Sequence, residues 1–402
     1  MASRPPFFDP LKQDRRILPL LIMICFIMSG SGIVSPILSI YAQTFGVAST
    51  LVGTLVTMFG VGRLVANLPA GHLSQRIGRR PLLIAGPIIV AAASLGAALA
   101  TDFISLIVWR FFQGLGSGIY ITASMAALAD ISPPARRAGN MALYQASLQL
   151  GATLGPGIGG YVAYWFGYAA PFWAYMGVGI AATITAIFAF EDTLNKAEAR
   201  LPLPSVIRRT GMMTPAFTVV CILTLAIFFT RVVTLFQLIP LIGAETFGLG
   251  VGSIGLALTL CALANFIGLP MTTPLIEKFG ARAVVIGTTL ATALAIGMLW
   301  LDASVLWFWL SIAVLGIAMG VSYPAISSYV IGCLPRERYG PGMGMQRTFG
   351  DVGFVFGPVI AGALDDFAGP GHSAVIMFNV ALLAAGALLF AMGSRGGVGA
   401  LR

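Results

Sequence analysis

The chain has 402 residues, of which 58% are hydrophobic and only 9% charged, with a formal net charge of +9. An ordinary soluble domain carries about 25% charged residues, so the composition excludes that class and predicts an integral membrane protein with several spans. The only histidines are His72 and His372, lysines number three, and no G-x-x-x-x-G-K-[ST] run occurs, which argues against a metal centre or an ATP-driven pump.

Hydropathy and turn residues place twelve spans, at 17–41, 50–72, 81–100, 104–129, 139–165, 169–190, 216–242, 252–276, 283–301, 304–331, 341–364 and 373–393. The first run is too long for a signal peptide and lacks a small-residue cleavage site. The second carries Arg63 and Asn67 one turn apart on one face. After it comes "GHLSQRIGRR" (71–80), holding Gly71, Gln75, Gly78 and Arg79. The fourth contains "RFFQGLGSG" from Arg110 and ends at Asp130. The fifth carries Gln145 and Gln149 and then "GATLGPGIGG" (151–160). There Gly151, Gly155 and Gly159 share one helix face, and Pro156 removes a backbone donor. Such a face serves close packing against a neighbouring helix, or a pliable gasket between halves of the molecule. A polar stretch at 191–213 follows. The seventh span holds Arg231 and Gln237, and the eleventh holds Arg347 and Asp351 within "MQRTFGDVGFVFGP". Cys25, Cys221, Cys261 and Cys333 lack paired spacing and read as small core residues rather than disulfides.

The charges divide cleanly. All of the 23 basic residues except Arg63, Arg110, Arg231 and Arg347 fall on alternate connections, on the same side as both termini. The other connections carry Asp102, Glu245, Asp302, Asp365 and Asp366 and no Lys or Arg. The positive-inside rule then predicts twelve spans with both termini in the cytoplasm.

The chain also repeats itself. At a constant offset of 202, "QTFGVASTLVG" meets "ETFGLGVGSIG", "SQRIGRR" meets "IEKFGAR", "GLGSG" meets "GIAMG" and "GPGIGG" meets "GPVIAG". A shared register over separate blocks predicts two six-helix halves, 1–190 and 214–402, joined by a cytoplasmic linker at 191–213. Repeats of this kind are the architecture of secondary transporters.

These residues resemble the major facilitator superfamily over nearly the whole chain. "GHLSQRIGRR" is similar to its signature between helices 2 and 3, although Gln75 stands where the signature has aspartate. The resemblance implies a gating latch from Gly71, Gly78, Arg79 and Asp130, weakened by Gln75. "RFFQGLGSG" resembles the helix 4 motif of proton-coupled members, with Arg110 as its arginine. "GATLGPGIGG" resembles the helix 5 motif of antiporters, which gives Gly151, Gly155, Pro156 and Gly159 a conformational role. "IVSPILSIYAQTFG" (33–46) is similar to helix 1 of twelve-span drug:proton antiporters.

A charge inside the membrane is costly and by default marks a functional position. Arg63, Asn67, Gln145, Gln149, Arg231 and Gln237 are read as lining a substrate cavity. Arg347 and Asp351, with Arg110, are read as the proton-coupling group. The bland alternative is that Arg347 and Asp351 only neutralise each other along one turn. Arg110 and Arg231 have a structural alternative too, bonding carbonyls or helix ends. Four mid-span arginines face one mid-span carboxylate, and the surplus favours an anionic group on the cargo. The expected function is proton-coupled export of small organic solutes by alternating access, the cargo drug-like or anionic. Alternatives are a proton-independent organic-anion exchanger or importer, and a transporter-like membrane sensor. The expected partners are a small-molecule substrate, protons and membrane lipid, with no cofactor, no enzymatic activity and no nucleic acid. The expected setting is a monomer in a bacterial-type inner membrane. A cysteine introduced at Asp102 should react with an impermeant maleimide from outside, and one at Arg208 only from the cytoplasm. Labelling of position 102 from the cytoplasm alone would overturn the topology.

Overall fold

A computed structural model describes residues 16–132, 137–190, 214–301, 304–334, 339–368 and 372–394. The described residues form twelve long helices and no strand. They are α1 (Ile17–Gln43), α2 (Ser49–Ile77), α3 (Arg80–Ala98), α4 (Phe103–Ile131), α5 (Arg137–Phe166), α6 (Ala170–Ala189), α7 (Pro215–Thr246), α8 (Val251–Phe279), α9 (Ala281–Leu299), α10 (Val305–Gly332), α11 (Tyr339–Ala368) and α12 (Ser373–Gly393). Eleven are both long and apolar enough to cross a membrane. The twelfth is α5, where Asn140, Gln145 and Gln149 lower the hydropathy. Its 30 residues still extend about 45 Å at 1.5 Å per residue, more than a bilayer core. The predicted polar linker, 191–213, lies outside the described residues.

Equivalent positions of the repeat do equivalent structural work. Asp102 caps α4 by accepting the amide of Ser105 at 2.8 Å, and Ser304 caps α10 by accepting that of Trp307 at 3.2 Å. These satisfy helix-end donors that hydrocarbon leaves bare. Gly78 and Gly280 both adopt positive φ, 100° and 79°, which turns the chain sharply from α2 into α3 and from α8 into α9. Arg80 then donates to the Ile187 carbonyl near the end of α6 at 3.0 Å. Arg282 donates to the Ala391 carbonyl near the end of α12 at 2.6 Å. Each arginine covers carbonyls that the last helical turn cannot pair.

Contacts group the chain into two units, Met1–Ile37 with Met58–Pro202, and Leu38–Thr57 with Leu203–Arg402. On α1 the boundary falls at a 3-10 turn, Ser35–Ile37, where Pro36 has no amide hydrogen to give. The end of α1 and the start of α2 therefore belong to the second unit. There Ser39 Oγ donates to the Phe236 carbonyl of α7, and Thr57 Oγ1 to the Val355 carbonyl of α11. Helix α7 outlasts its predicted end at 242. It continues through two π turns, Thr234–Leu238 and Ile242–Thr246, on either side of Pro240.

Within each unit, glycines seat one helix on the backbone of another. In the first unit, a Cβ on Gly155 would stand 2.5 Å from the Ser29 carbonyl oxygen and 2.7 Å from the Gly32 Cα. Gly151 and Gly159 press likewise on the carbonyls of Cys25 and Ile33. The predicted small face of α5 thus lies against α1. Gly114 and Gly118 of α4 lie on Phe59 and Arg63 of α2. In the second unit, Gly353 of α11 meets the Leu225 carbonyl of α7, and Gly316 and Gly320 of α10 meet the carbonyls of Cys261 and Asn265 in α8. Every partner in the α4–α2 pairing recurs 202 residues later in α10–α8.

Gly155→Leu should separate α5 from α1. Overpacking against backbone costs about 1–3 kcal/mol, so the purified protein should melt several degrees lower. Gly155→Ala should fall between. An unchanged melting temperature for the leucine variant would mean this contact carries no load.

Candidate functional site

In the first unit the loop after α2 forms a charged clasp. The left-handed turn at Gly78 swings Arg79 back, so that its Nε donates to Asp130 Oδ2 at 3.0 Å near the end of α4. Its Nη1 donates to the Ser74 carbonyl at the end of α2. The guanidinium therefore ties α2 to α4. The side chain of Gln75 lies outside the described residues. Beside Gly71 an added Cβ would find only Thr122, at 4.0 Å, so this glycine leaves room rather than filling a contact.

Deeper in the same unit, Arg110 is 2% exposed. Its Nη1 donates to Gln113 Oε1 at 2.9 Å, and Gln113 Nε2 passes the chain on to Ser94 Oγ of α3 at 2.9 Å. The guanidinium also lies over the Phe59 ring, 4.7 Å from its centroid. A buried cation is thereby held by an amide and an aromatic face, with no carboxylate among these contacts. Arg63 stands in the electrostatic field of Tyr144 and Tyr175, and Tyr175 also senses Arg110. Tyr175 is thus an electrostatic neighbour of both arginines, and its buried hydroxyl has no hydrogen-bond partner among the described residues. Asn67 Oδ1 accepts from Thr122 Oγ1 at a long 3.4 Å, on the α4 side. Gln149 is half-buried, and Gln145 has no described side chain.

In the second unit, Arg347 Nε lies 3.3 Å from Asp351 Oδ1, one helical turn away on α11. The pair is partly accessible, with 47% and 23% of the side chains exposed. Arg347 also lies over the Phe228 ring of α7 at 5.8 Å, and that ring packs edge-on against Tyr323 of α10. Arg231 of α7 is an electrostatic neighbour of Arg347 and Tyr323. Next to them Gln346 is 1% exposed, and neither of its amide atoms has a partner among the described residues. Gln237 is 5% exposed and donates to the Pro358 carbonyl at 2.9 Å, in the packed contact of α7 with α11.

The predicted arginines thus fall into two pairs, Arg63 with Arg110 in the first unit and Arg231 with Arg347 in the second. Sequence reasoning missed the groups that tune them: Gln113, Ser94 and Tyr175 in the first unit, Tyr323, Phe228 and Gln346 in the second. Gln113 was readable at i+3 from Arg110. Gln346 was readable as well, next to Arg347 on α11, whereas Ser94, Tyr175, Phe228 and Tyr323 lie on other helices and left no local signal.

The model of the Major Facilitator Superfamily matches residues 20–253 and 220–396. The chain belongs to this superfamily. An uncharacterised transporter of this type from Methanocaldococcus jannaschii is 23% identical over 364 residues, covering 89% of this chain and 93% of that one. The quinolone resistance protein NorA of Staphylococcus aureus is 25% identical over 357 residues, covering 88% and 91%. Among solved structures, a bacterial homologue of the human lysosomal transporter Spinster superposes with a TM-score of 0.76 at 14% identity, covering 98% of both chains. The human organic anion transporter MFSD10 gives 0.67 at 19% identity, covering 96% of this chain and all of that one. The family and fold are those of membrane transporters for small molecules and not of enzymes.

The clasp of this facilitator can be tested by a double-mutant cycle. Arg79→Gln and Asp130→Asn should each lower the melting temperature, and the double variant should lose less than their sum. The expected coupling is about 0.5–1 kcal/mol for a partly buried pair. Simple additivity would mean the pair contributes nothing.

Proposed function

We propose that the protein is a secondary active transporter that exports small organic solutes by alternating access, driven by protons. The observation that carries the reading is the α11 pair. Asp351 is a carboxylate in mid-helix, partly accessible and paired with Arg347, which is itself an electrostatic neighbour of Arg231. Burial favours the neutral form of a carboxyl, and a nearby arginine favours the anion. A proton carrier has to be reachable by solvent and able to trade partners, and Asp351 is 23% exposed beside Arg347. Gly350 and Gly353 flank it, and Gly353 sits on the α7 backbone, so a small shift of α11 against α7 alters the pairing.

The similarity to NorA supports drug-like cargo leaving the cell. The surplus of arginines in both cationic groups supports an anionic group on that cargo, which also keeps proton-independent anion exchange as the second reading. Arg63, Asn67, Gln145, Gln149, Arg231 and Gln237 remain the proposed cargo-facing set, and Arg110 with Arg347 and Asp351 the proposed coupling set. The clasp residues and the α5 glycines are the proposed moving parts. Residues 1–190 and 214–402 are the proposed domains, with both termini and the 191–213 linker on the cytoplasmic side of a bacterial-type inner membrane.

Purified protein in liposomes tests the mechanism. With an imposed pH gradient it should accumulate a fluoroquinolone or an organic anion, and Asp351→Asn should abolish that accumulation while leaving binding within about threefold. Undiminished accumulation by the asparagine variant would remove Asp351 as the carrier and leave the pair a structural salt bridge.

A further inference from the structure

At the end of the second unit that bears the acidic connections, four side chains join in series. Gln43 closes α1, and its Nε2 donates to Glu245 Oε1 at 2.8 Å. These two residues are 202 positions apart, so they are each other's counterparts in the repeat. Glu245 Oε2 lies 3.2 Å from His372 Nε2, close enough for an ion pair but out of line for a hydrogen bond. His372 Nδ1 is 2.8 Å from Asp365 Oδ1. His372 is 6% exposed and occupies the left-handed region at φ 55°, unique among the described non-glycine residues. A cavity of about 10 Å³, room for roughly one water, lies between His372, Asp365 and Gln237. The Gln237 Oε1 atom has no hydrogen-bond partner there.

We propose that His372, held between Asp365 and Glu245, is a proton-binding site separate from Asp351, and that its protonation fastens the end of α1 to the second unit. The imidazolium has two N–H donors and faces two carboxylates, one at each ring nitrogen. It holds both at once. Neutral imidazole carries no charge, so loss of the proton ends the ion pair with Glu245 and leaves two unneutralised negative charges. Glu245 is then repelled from Asp365, and the Gln43 contact that depends on its position loosens.

The groups facing His372 are Asp365 from α11 and Glu245 from α7, with Asp366 exposed beside the first. The neighbouring surfaces of α2 and α12 present Val52 and Val375. Burial works against the charged ring. The hydrogen bond and charge of Asp365, with the charge of Glu245, outweigh it and raise the proton affinity above that of an ordinary histidine. The sign follows. A raised value in the fastened state means that the proton supports the latch fully below about pH 6.5, the ordinary histidine value. That support disappears as pH climbs through the raised value. Under the alternating-access reading, on which only this consequence rests, acid on that side favours closure there. The proton site itself does not depend on transport, so its test measures none.

The chain has two histidines, so His72→Gln leaves His372 as the single ring signal in protein labelled with 15N-histidine. Its titration midpoint should lie above 6.5, and Asp365→Asn should lower it. In a background lacking the four native cysteines, spin labels at Ala48→Cys and Thr246→Cys should report a short-distance population at pH 5.5. That population should fall by at least half by pH 8.5. His372→Gln should remove the pH response, and Asp351→Asn should leave it intact. A midpoint at or below 6.5, distances indifferent to pH, or a response that survives His372→Gln would each overturn the proposal. A response lost in Asp351→Asn would assign it to the α11 pair instead and overturn it as well.

Discussion

Helices in a bilayer gain nothing by hiding apolar side chains from one another, since lipid is as apolar as leucine. What holds this protein together is the approach of helix backbone to helix backbone, made where side chains are absent. Gly151, Gly155 and Gly159 admit the α1 carbonyls to the surface of α5, and Gly353 admits α7 to α11 in the same way. Gly114 and Gly118 do this for α4 on α2, and Gly316 and Gly320 for α10 on α8. Dispersion over such close contacts replaces the hydrophobic drive of a soluble core. Everything polar is positioned by these seats. Arg63 and Asn265 lie at equivalent points on them, the one charged and the other neutral.

The polar residues follow a second constraint, that a buried donor or cation needs a partner. The protein meets it unevenly, and the unevenness points to function. At the helix ends the partners are complete: Arg79 with Asp130 and Ser74, Arg80 with Ile187, Arg282 with Ala391 and Ser394. Within the helices the contacts are of other kinds. Arg110 meets the Gln113 amide and the Phe59 ring. Arg231 lies in the field of a like charge, Arg347, which pairs with Asp351. Gln346 and the Tyr175 hydroxyl are buried without hydrogen-bond partners among the described residues.

The two repeats are alike in backbone and unlike in chemistry. The glycine seats, the positive-φ turns and the helix caps recur 202 residues apart. The clasp does not: Arg79 and Asp130 correspond to Ala281 and Gly332. The exposed acid–base pair on α11 corresponds to Gln145 and Gln149 on α5. The duplicated scaffold thus carries different charges in its two halves.

Much of this was determined by the sequence alone. Hydropathy and the placement of Lys and Arg set the number and alternation of the helices, because the cost of hydrocarbon burial is local to each segment. The repeat and the i, i+4 spacing of glycines were visible because helical periodicity maps sequence directly onto a face. Which neighbour that face meets was not visible, and only the tertiary structure seated α5 on α1 rather than on lipid. The partners of the charges were equally hidden. Ser94 reaches Arg110 through Gln113 from another helix, and His372 meets Glu245 and Asp365 only once three helix ends converge. Pairing across helices depends on rotation and depth about each axis, and those are decided by packing against neighbours far away in the chain.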